Sequence, residues 1–175
     1  EVLGVTAIDV EVDASHAYFT LSEGPNAVVS VNKAGGVPTP LAAKPVDESA
    51  WHLTIDDTSV YWVQSGALKK VGKSGGVPVT LAKAAFGHIV NDSSHIYATL
   101  GAAGVGRVPK EGGDVETLAT GDQNGVEAVA VDDEWVYWLN VGTATNEAGS
   151  VMKMPKAGGT YEVLASGFRG HPGFD

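Results

Sequence analysis

The feature that most constrains the fold of this chain is a fourfold internal repeat. A doubled glycine with a lysine two residues before it occurs four times in the 175 residues, as Lys33 with Gly35-Gly36, Lys73 with Gly75-Gly76, Lys110 with Gly112-Gly113, and Lys156 with Gly158-Gly159. Upstream of each glycine pair an aspartate precedes a tyrosine by five residues, as Asp13 and Tyr18, Asp56 and Tyr61, Asp92 and Tyr97, and Asp132 and Tyr137. The aspartates are 43, 36 and 40 residues apart, and such a period predicts one small structural unit built four times.

The second repeat shows the local pattern of each unit. Residues 52–55 alternate apolar and polar side chains as a half-buried strand does, and residues 60–63 form a β-branched and aromatic run. Turn-forming residues at 56–59 separate these two strands, and the segments 67–71 and 77–82 predict two further strands around the glycine pair. The fold class is therefore all-β, with four strands per repeat. The repeats span about 5–49, 50–86, 87–125 and 126–170, and residues 171–175 begin another.

Four antiparallel strands in roughly 40 residues are the size of one blade of a β-propeller. Residues 131–138 (VDDEWVYW) and 55–62 (IDDTSVYW) resemble the YWTD and NHL classes of propeller repeat. Residues 151–159 (VMKMPKAGG) resemble the repeats of secreted bacterial propellers, in which a lysine-glycine-glycine turn precedes the outermost strand. The resemblance covers the whole chain and implies one propeller domain of four blades outside the cytoplasm, in the periplasm, at the cell surface or secreted.

The number of blades in the native ring stays open. Val2-Leu3 resembles the last strand of a repeat, while residues 171–175 resemble the first strand of another. We therefore expect a part of a longer propeller with six to eight blades. A chain that closes by association with further copies and a closed ring of four blades are the alternatives.

Composition excludes several classes of partner. With 43% hydrophobic and 18% charged residues, the chain has enough apolar surface to fold and no apolar run long enough for a membrane helix. A formal net charge of −10 repels the phosphates of nucleic acids and anionic membranes. The absence of cysteine excludes disulfides, thiolate metal sites and a cysteine nucleophile.

The residue four positions before each repeated aspartate, and before Asp175 in the repeat that begins at 171, is the main candidate for chemistry, because it begins the strand expected nearest the propeller axis. These residues are Asp9, His52, His88, Ala128 and His171. Histidines that converge on one channel mouth can bind a divalent cation or orient an anionic ligand. The alternative interpretation is that these side chains form hydrogen bonds with the backbone of the neighbouring blade.

The other repeated residues have structural interpretations. The aspartates at strand ends are expected to accept backbone N–H hydrogen bonds in the turn, and the lysines before the glycine pairs are expected on solvated turns. Tyr61, Trp62, Tyr137 and Trp138 are predicted core residues. Trp51, in the connection between blades, and Trp135, in a turn on the opposite face, are expected to be more exposed.

Two functions are consistent with these patterns. The first is a non-enzymatic binding or scaffolding module that recognises a protein or carbohydrate through His52, His88, His171 and Trp51, with the rim formed by residues 44–50 and 140–149. No cofactor is expected for it. The second is a metal-dependent hydrolase or lactonase with a divalent cation held by Asp9, His52, His88 and Glu127. The sequence contains no recognisable catalytic set, which favours the first.

Overall fold

The computed structural model describes residues 6–120, 125–141 and 149–168. These residues form sixteen β-strands and one short 3-10 turn at Gly101–Ala103. The chain divides into two compact units, Glu1–Ala84 and Ala85–Asp175. Each unit contains two four-stranded antiparallel sheets, so the predicted all-β class and the predicted four strands per repeat are confirmed.

The first unit consists of two sheets whose strands are paired in chain order. The strands of its first sheet are β1 (Ala7–Val12), β2 (His16–Leu21), β3 (Asn26–Asn32) and β4 (Thr39–Ala43). The strands of its second sheet are β5 (Ala50–Ile55), β6 (Ser59–Gln64), β7 (Ala67–Gly72) and β8 (Val79–Lys83).

The second unit repeats this arrangement. The strands of the third sheet are β9 (Ile89–Asn91), β10 (His95–Thr99), β11 (Val105–Pro109) and β12 (Glu116–Ala119). The strands of the fourth sheet are β13 (Val126–Val131), β14 (Trp135–Asn140), β15 (Gly149–Pro155) and β16 (Glu162–Phe168). The strands predicted at Val2-Leu3 and at 171–175 lie outside the described residues.

The glycine pair of each repeat lies in the hairpin between the third and fourth strands. In the second sheet Gly75 and Gly76 have φ angles of +82° and +144°, a backbone region that residues with a Cβ rarely adopt. The glycines therefore recur because the hairpin geometry requires them.

Each unit has a core formed by both of its sheets. The first core includes Tyr18, Val28, Leu53, Val60 and Trp62, all of them buried. The second core is built from equivalent residues, namely Tyr97, Val105, Val129, Val136, Trp138 and Met154. These clusters confirm the core assignment of the two tryptophans.

Tyr61 is also buried, whereas Tyr137 is only half-buried. Among the described residues, no helix is long and apolar enough to cross a membrane.

Candidate functional site

The repeated aspartate closes the turn between the first and second strands of every sheet. Asp13 Oδ1 accepts hydrogen bonds from the backbone N–H groups of Ser15 and His16 at 2.9 and 2.8 Å. Tyr18 donates its hydroxyl hydrogen to Asp13 Oδ2 at 2.8 Å. Asp56, Asp92 and Asp132 form the same bonds with the N–H groups two and three residues later and with their tyrosines. The expected structural role of these aspartates is confirmed.

The prediction that the repeated lysines lie on solvated turns is wrong for most of them. Lys73 and Lys156 are half-buried, and each reaches the aspartate of the preceding sheet, with Nζ to Oδ2 distances of 2.8 Å to Asp13 and to Asp92. Lys110 is buried and donates to Asn91 Oδ1 at 2.9 Å. Only Lys33, of these four, is exposed. The prediction failed because a turn that is exposed in an isolated sheet is covered when sheets stack.

These contacts change the pKa values of the aspartates and tyrosines. The hydrogen bond from Lys73, together with the N–H groups of the turn, holds the pKa of Asp13 far below its usual 3.8. Burial raises the pKa of Asp92, but the bonds from Lys156 and the turn outweigh it, so that this pKa is also well below 3.8. Burial and the aspartate hydrogen bond raise the pKa of Tyr18 and of Tyr97 to about 12.

The candidate site lies at the first strand of the sheets, and in three of the four sheets the pairing of this strand with the second strand is irregular. The register between the first two strands shifts between Ala7 and Val10, between Trp51 and Leu53, and between Val126 and Ala128. A bulge of this kind re-aims a side chain and is frequent beside functional sites. Asp9, together with Ile8, lies within the first of these shifts, and His52 and Glu127 lie within the other two.

In the first unit the bulges bring Asp9 and His52 together. His52 has a φ angle of +20°, which is unusual for a residue with a Cβ. Its Nδ1 lies 4.0 Å from Asp9 Oδ2, and both side chains are about one third exposed, at 39% and 34%. Asp9 Oδ2 also accepts a hydrogen bond from the N–H of Leu53 at 2.9 Å. An imidazole and a carboxylate are thus held close together and remain accessible.

In the second unit His88 occupies the position equivalent to Asp9. It is half-buried, and its Nδ1 accepts a hydrogen bond from the backbone N–H of Val129 at 3.4 Å. Glu127 is exposed on β13. Asp9 and His88 both bond to the backbone of the following sheet, which is the geometry that the structural interpretation of these positions predicts. His171 lies outside the described residues.

Trp51 is the most exposed tryptophan that the structure describes, with 46% of its surface accessible. The sequence placed it in the connection between blades, and this placement is wrong. Ala50 pairs with the buried residue Gln64 and Trp51 pairs with Val63, so that β5 begins before the tryptophan. Trp51 is the residue at which the irregular part of β5 begins.

Trp135 is less exposed than expected. It is half-buried, it is the first residue of β14 instead of a turn residue, and Lys153 Nζ lies 4.0 Å from the centre of a Trp135 ring. A cation above an aromatic ring is attracted to it, which holds this side chain against the sheet.

The loop predicted to form a rim at 44–50 connects the first two sheets and forms hydrogen bonds with residues of both. Lys44 is buried and donates to the carbonyl oxygens of Ser22, Gly24 and Glu48. Glu48 in turn accepts a hydrogen bond from Gln64. The other predicted rim segment, 140–149, lies largely outside the described residues.

Among the described residues, no group of three or more histidine, aspartate and glutamate side chains is placed to hold a metal ion. Of the four candidate ligands, Asp9 and His52 belong to the first unit, and His88 and Glu127 to the second. The pair in the first unit offers one carboxylate and one imidazole.

Two structural features were not predicted from the sequence. The first is the lysine to aspartate pairing between sheets, although both residues recur with the period of the repeat. The second is the strained backbone of His52, for which the sequence carries no signal, because a bulge shows only in the register of two strands.

A comparison with protein families and with curated proteins gives no match to the sequence. Solved structures do resemble this chain in fold. An oligogalacturonate lyase in complex with manganese superposes with a TM-score of 0.67 and 10% identity, covering 88% of this chain and 51% of the lyase chain. A putative TolB from Agrobacterium tumefaciens gives a TM-score of 0.63 and 17% identity, covering 89% and 63%.

A third similar structure is YCF48 bound to D1 peptide, with a TM-score of 0.59 and 12% identity, covering 91% of this chain and 54% of the other. At such identities the likeness concerns the fold alone, and it agrees with the four sheets described above. The chain has a β-propeller fold, and it spans about half to two thirds of the length of these three proteins.

Proposed function

We propose that this protein is a non-enzymatic binding or scaffolding module that recognises a protein or carbohydrate ligand around Trp51 and His52. The observation that carries the proposal is the exposure of Trp51, at 46%, within a strand whose neighbouring residues Ala50 and Leu53 are buried. Tryptophan is a large apolar side chain that is usually well buried, so an exposed indole suits a contact surface.

His52, the residue after Trp51, and its neighbour Asp9 are proposed as the polar part of such a surface. His52 and Asp9 lie 4.0 Å apart and are both accessible, so that one can donate and the other accept a hydrogen bond. The positive φ of His52 is a strained conformation of the kind that recurs in ligand-binding positions. An indole face can stack on a sugar ring or bury an apolar peptide side chain, while the polar pair orients the ligand.

The proposal also includes the class of propeller repeat and the location of the protein. The repeat strings at 55–62 and 131–138 support a YWTD-like or NHL-like propeller. The lysine-glycine-glycine hairpins support a secreted bacterial protein that acts outside the cytoplasm. His88 in the second unit and His171, which lies outside the described residues, are at equivalent repeat positions and are proposed as further ligand-binding residues.

The test uses selection against two libraries with one variant and one matched control. The natural chain is screened on a peptide display library and on a glycan array, and Trp51→Ala is measured on the ligands found. We expect affinity to fall at least about tenfold, because truncation of a central aromatic contact typically costs more than 1 kcal/mol.

Tyr161→Ala is the control, because Tyr161 is an aromatic residue with the same exposure of 46% in the other unit. It should retain the ligands. Equal affinity of Trp51→Ala and the natural chain would contradict the proposal.

The metal-dependent hydrolase or lactonase remains the second candidate, supported by the proximity of Asp9 and His52. Titration of the metal-free protein with MnCl2 or CaCl2 in a calorimeter distinguishes the two functions. The enzyme requires stoichiometric binding that Asp9→Asn weakens, whereas the binding module requires no metal.

A further inference from the structure

The connection between β4 and β5 contains a buried ammonium group. Lys44, the first residue after β4, is only 7% exposed. Its Nζ donates to the carbonyl oxygens of Ser22 and Gly24 at 3.3 and 2.9 Å, and it also donates to the carbonyl oxygen of Glu48. Because an ammonium group has three N–H bonds, these three acceptors use all of its donors.

All three acceptors are neutral backbone carbonyls, so this arrangement is a coordination site and not an ion pair. A buried ammonium group is costly unless polar atoms replace the water that it loses. Carbonyl oxygens do the same for dissolved cations, for example in potassium channels, where backbone carbonyls replace the hydration shell of the ion. The oxygens of Ser22, Gly24 and Glu48 therefore form a carbonyl cradle that suits a small monovalent cation.

The carbonyl cradle joins two segments of the chain. Two of its oxygens belong to the turn 22–25 between β2 and β3, and the third belongs to the connection itself. The backbone N–H of Lys44 donates to the carbonyl oxygen of Pro25 at 2.8 Å, and Ser49 Oγ donates to that of Ser22 at 3.1 Å. The connection is thus hydrogen-bonded to this turn near both of its ends.

The second sheet shows the equivalent position without a lysine. Ala84 corresponds to Lys44, because the N–H of each donates to the carbonyl oxygen of the residue before a third strand, Gly66 or Pro25. The turn before β7 has only the two residues 65–66, whereas the turn 22–25 before β3 has four. The lysine therefore occurs in the sheet whose longer turn supplies carbonyl acceptors.

We propose that the carbonyl oxygens of Ser22, Gly24 and Glu48 are a binding site for a monovalent cation, which Lys44 fills as a cation tethered to the chain. When this side chain is shortened, an ammonium ion from solution, which has the same charge and the same kind of N–H donors, occupies the cradle. In the natural chain the lysine makes the order of the connection independent of dissolved cations. This role concerns how the connection to β5 is held, and it does not depend on the ligand surface proposed above.

The first measurement is the cleavage of the natural chain and of two variants by a glutamyl endopeptidase. Lys44→Ala empties the cradle, while Lys44→Met also removes the charge but keeps a long side chain that fills it. Cleavage after Glu48, followed by the mass of the fragment 1–48, should be at least about tenfold faster in both variants, because hydrogen bonds that hold the connection are lost. Cleavage after Glu111, which is exposed in the hairpin of the third sheet, should not change and is the internal control.

The second measurement is rescue by a dissolved cation at constant ionic strength. Replacing about 0.5 M tetramethylammonium chloride with ammonium chloride should slow the cleavage of Lys44→Ala after Glu48 at least about threefold, as for a site with a dissociation constant of about 0.1 M. Tetramethylammonium is too large for the cradle and has no N–H donor. Lys44→Met and the natural chain should show no difference between the two salts, because a side chain fills their cradles.

Folding of each variant is checked by circular dichroism. If Lys44→Ala is unfolded in tetramethylammonium chloride, recovery of its β-sheet spectrum in ammonium chloride would support the proposal, and failure to recover would overturn it. For a folded Lys44→Ala, three results would each overturn the proposal. These are cleavage after Glu48 no faster than in the natural chain, no protection by ammonium, and equal protection of Lys44→Met.

Discussion

Asp13 and Tyr18 show how one pair of side chains stabilises both a turn and the contact with the next sheet. One carboxylate oxygen of Asp13 holds the turn N–H groups, and the other receives the tyrosine hydroxyl and the lysine of the next sheet. A carboxylate has enough lone pairs for all these donors, and each donor stabilises the charged form. The repeated Asp and Tyr therefore need no catalytic explanation.

Tyr18→Phe should destabilise the chain by about 0.5–1.5 kcal/mol, the usual loss for one hydrogen bond. It should also reduce the loss of stability at high pH, because the neutral hydroxyl is favoured in the folded state. The pKa of Tyr18 rises from 10.0 to about 12, so its contribution is complete below pH 10 and disappears as the pH rises towards 12. Urea unfolding at several pH values measures both effects.

Tyr137→Phe is the matched control for this substitution. Tyr137 donates the same hydrogen bond to Asp132 but is only half-buried. Among the described residues no lysine forms an ion pair with Asp132, and Lys156 lowers the pKa of Asp132 only through a longer-range charge interaction. A smaller loss than for Tyr18→Phe is expected. Equal losses of unfolding free energy would show that the contact with the next sheet does not increase the contribution of the tyrosine hydrogen bond.

At the level of elements, the hairpin between third and fourth strands is both a turn and a packing surface. Gly75 has a φ of +82°, and a Cβ added there would lie 3.3 Å from the carbonyl oxygen of Leu41 in β4. Gly158 has nearly the same φ, +87°, but an added Cβ would meet nothing within 4 Å. The two glycines differ in their neighbours and not in their backbone.

Gly75→Ala should therefore destabilise the chain more than Gly158→Ala. Both substitutions carry the cost of alanine at positive φ, roughly 1 kcal/mol. Only Gly75→Ala also forces two backbones apart, which disturbs the bond from Gly76 to Leu41. Thermal unfolding of the two variants measures the difference, and equal destabilisation would contradict the role of this hairpin in packing.

For the whole molecule, the repeated aspartates determine how stability responds to acid. Asp13 in the first unit and Asp92 in the second both have pKa values well below the ordinary 3.8. Because the unfolded chain takes up protons first, their contribution is complete above about pH 4 and is lost as the pH falls below it. The same contribution does not change between neutral pH and pH 5.

Calorimetric unfolding between pH 2 and pH 8 measures this effect as the midpoint temperature of unfolding. The contribution of these aspartates to that temperature should be constant down to about pH 5 and should decrease below pH 4. Asp13→Asn should make the decrease of the midpoint temperature below pH 4 less steep, because it removes one of the carboxyl groups with a lowered pKa. Asp133→Asn, at an exposed position next to a turn aspartate, is the control and should keep the full slope. An unchanged decrease of the midpoint temperature below pH 4 in Asp13→Asn would contradict this role of the aspartate.

Local sequence patterns are sufficient to predict the strands, the turns and the number of sheets. Alternating side chains, turn aspartates and glycine pairs act over a few residues, so the period of about 40 residues was enough to predict four antiparallel sheets. The hydrogen bonds of Asp13 follow from the same local chemistry. For this reason the predicted fold class and the predicted role of the aspartates agree with the structure.

Which of the equivalent residues are buried and which are exposed depends on the tertiary structure. Lys33 and Lys73 have the same local sequence, but one is exposed and the other pairs with Asp13. The exposure of Trp51 and the strained backbone of His52 also depend on strand register and on packing between residues distant in sequence. The physical reason is that burial is a property of neighbouring sheets, and identical repeats differ only in the neighbours they have.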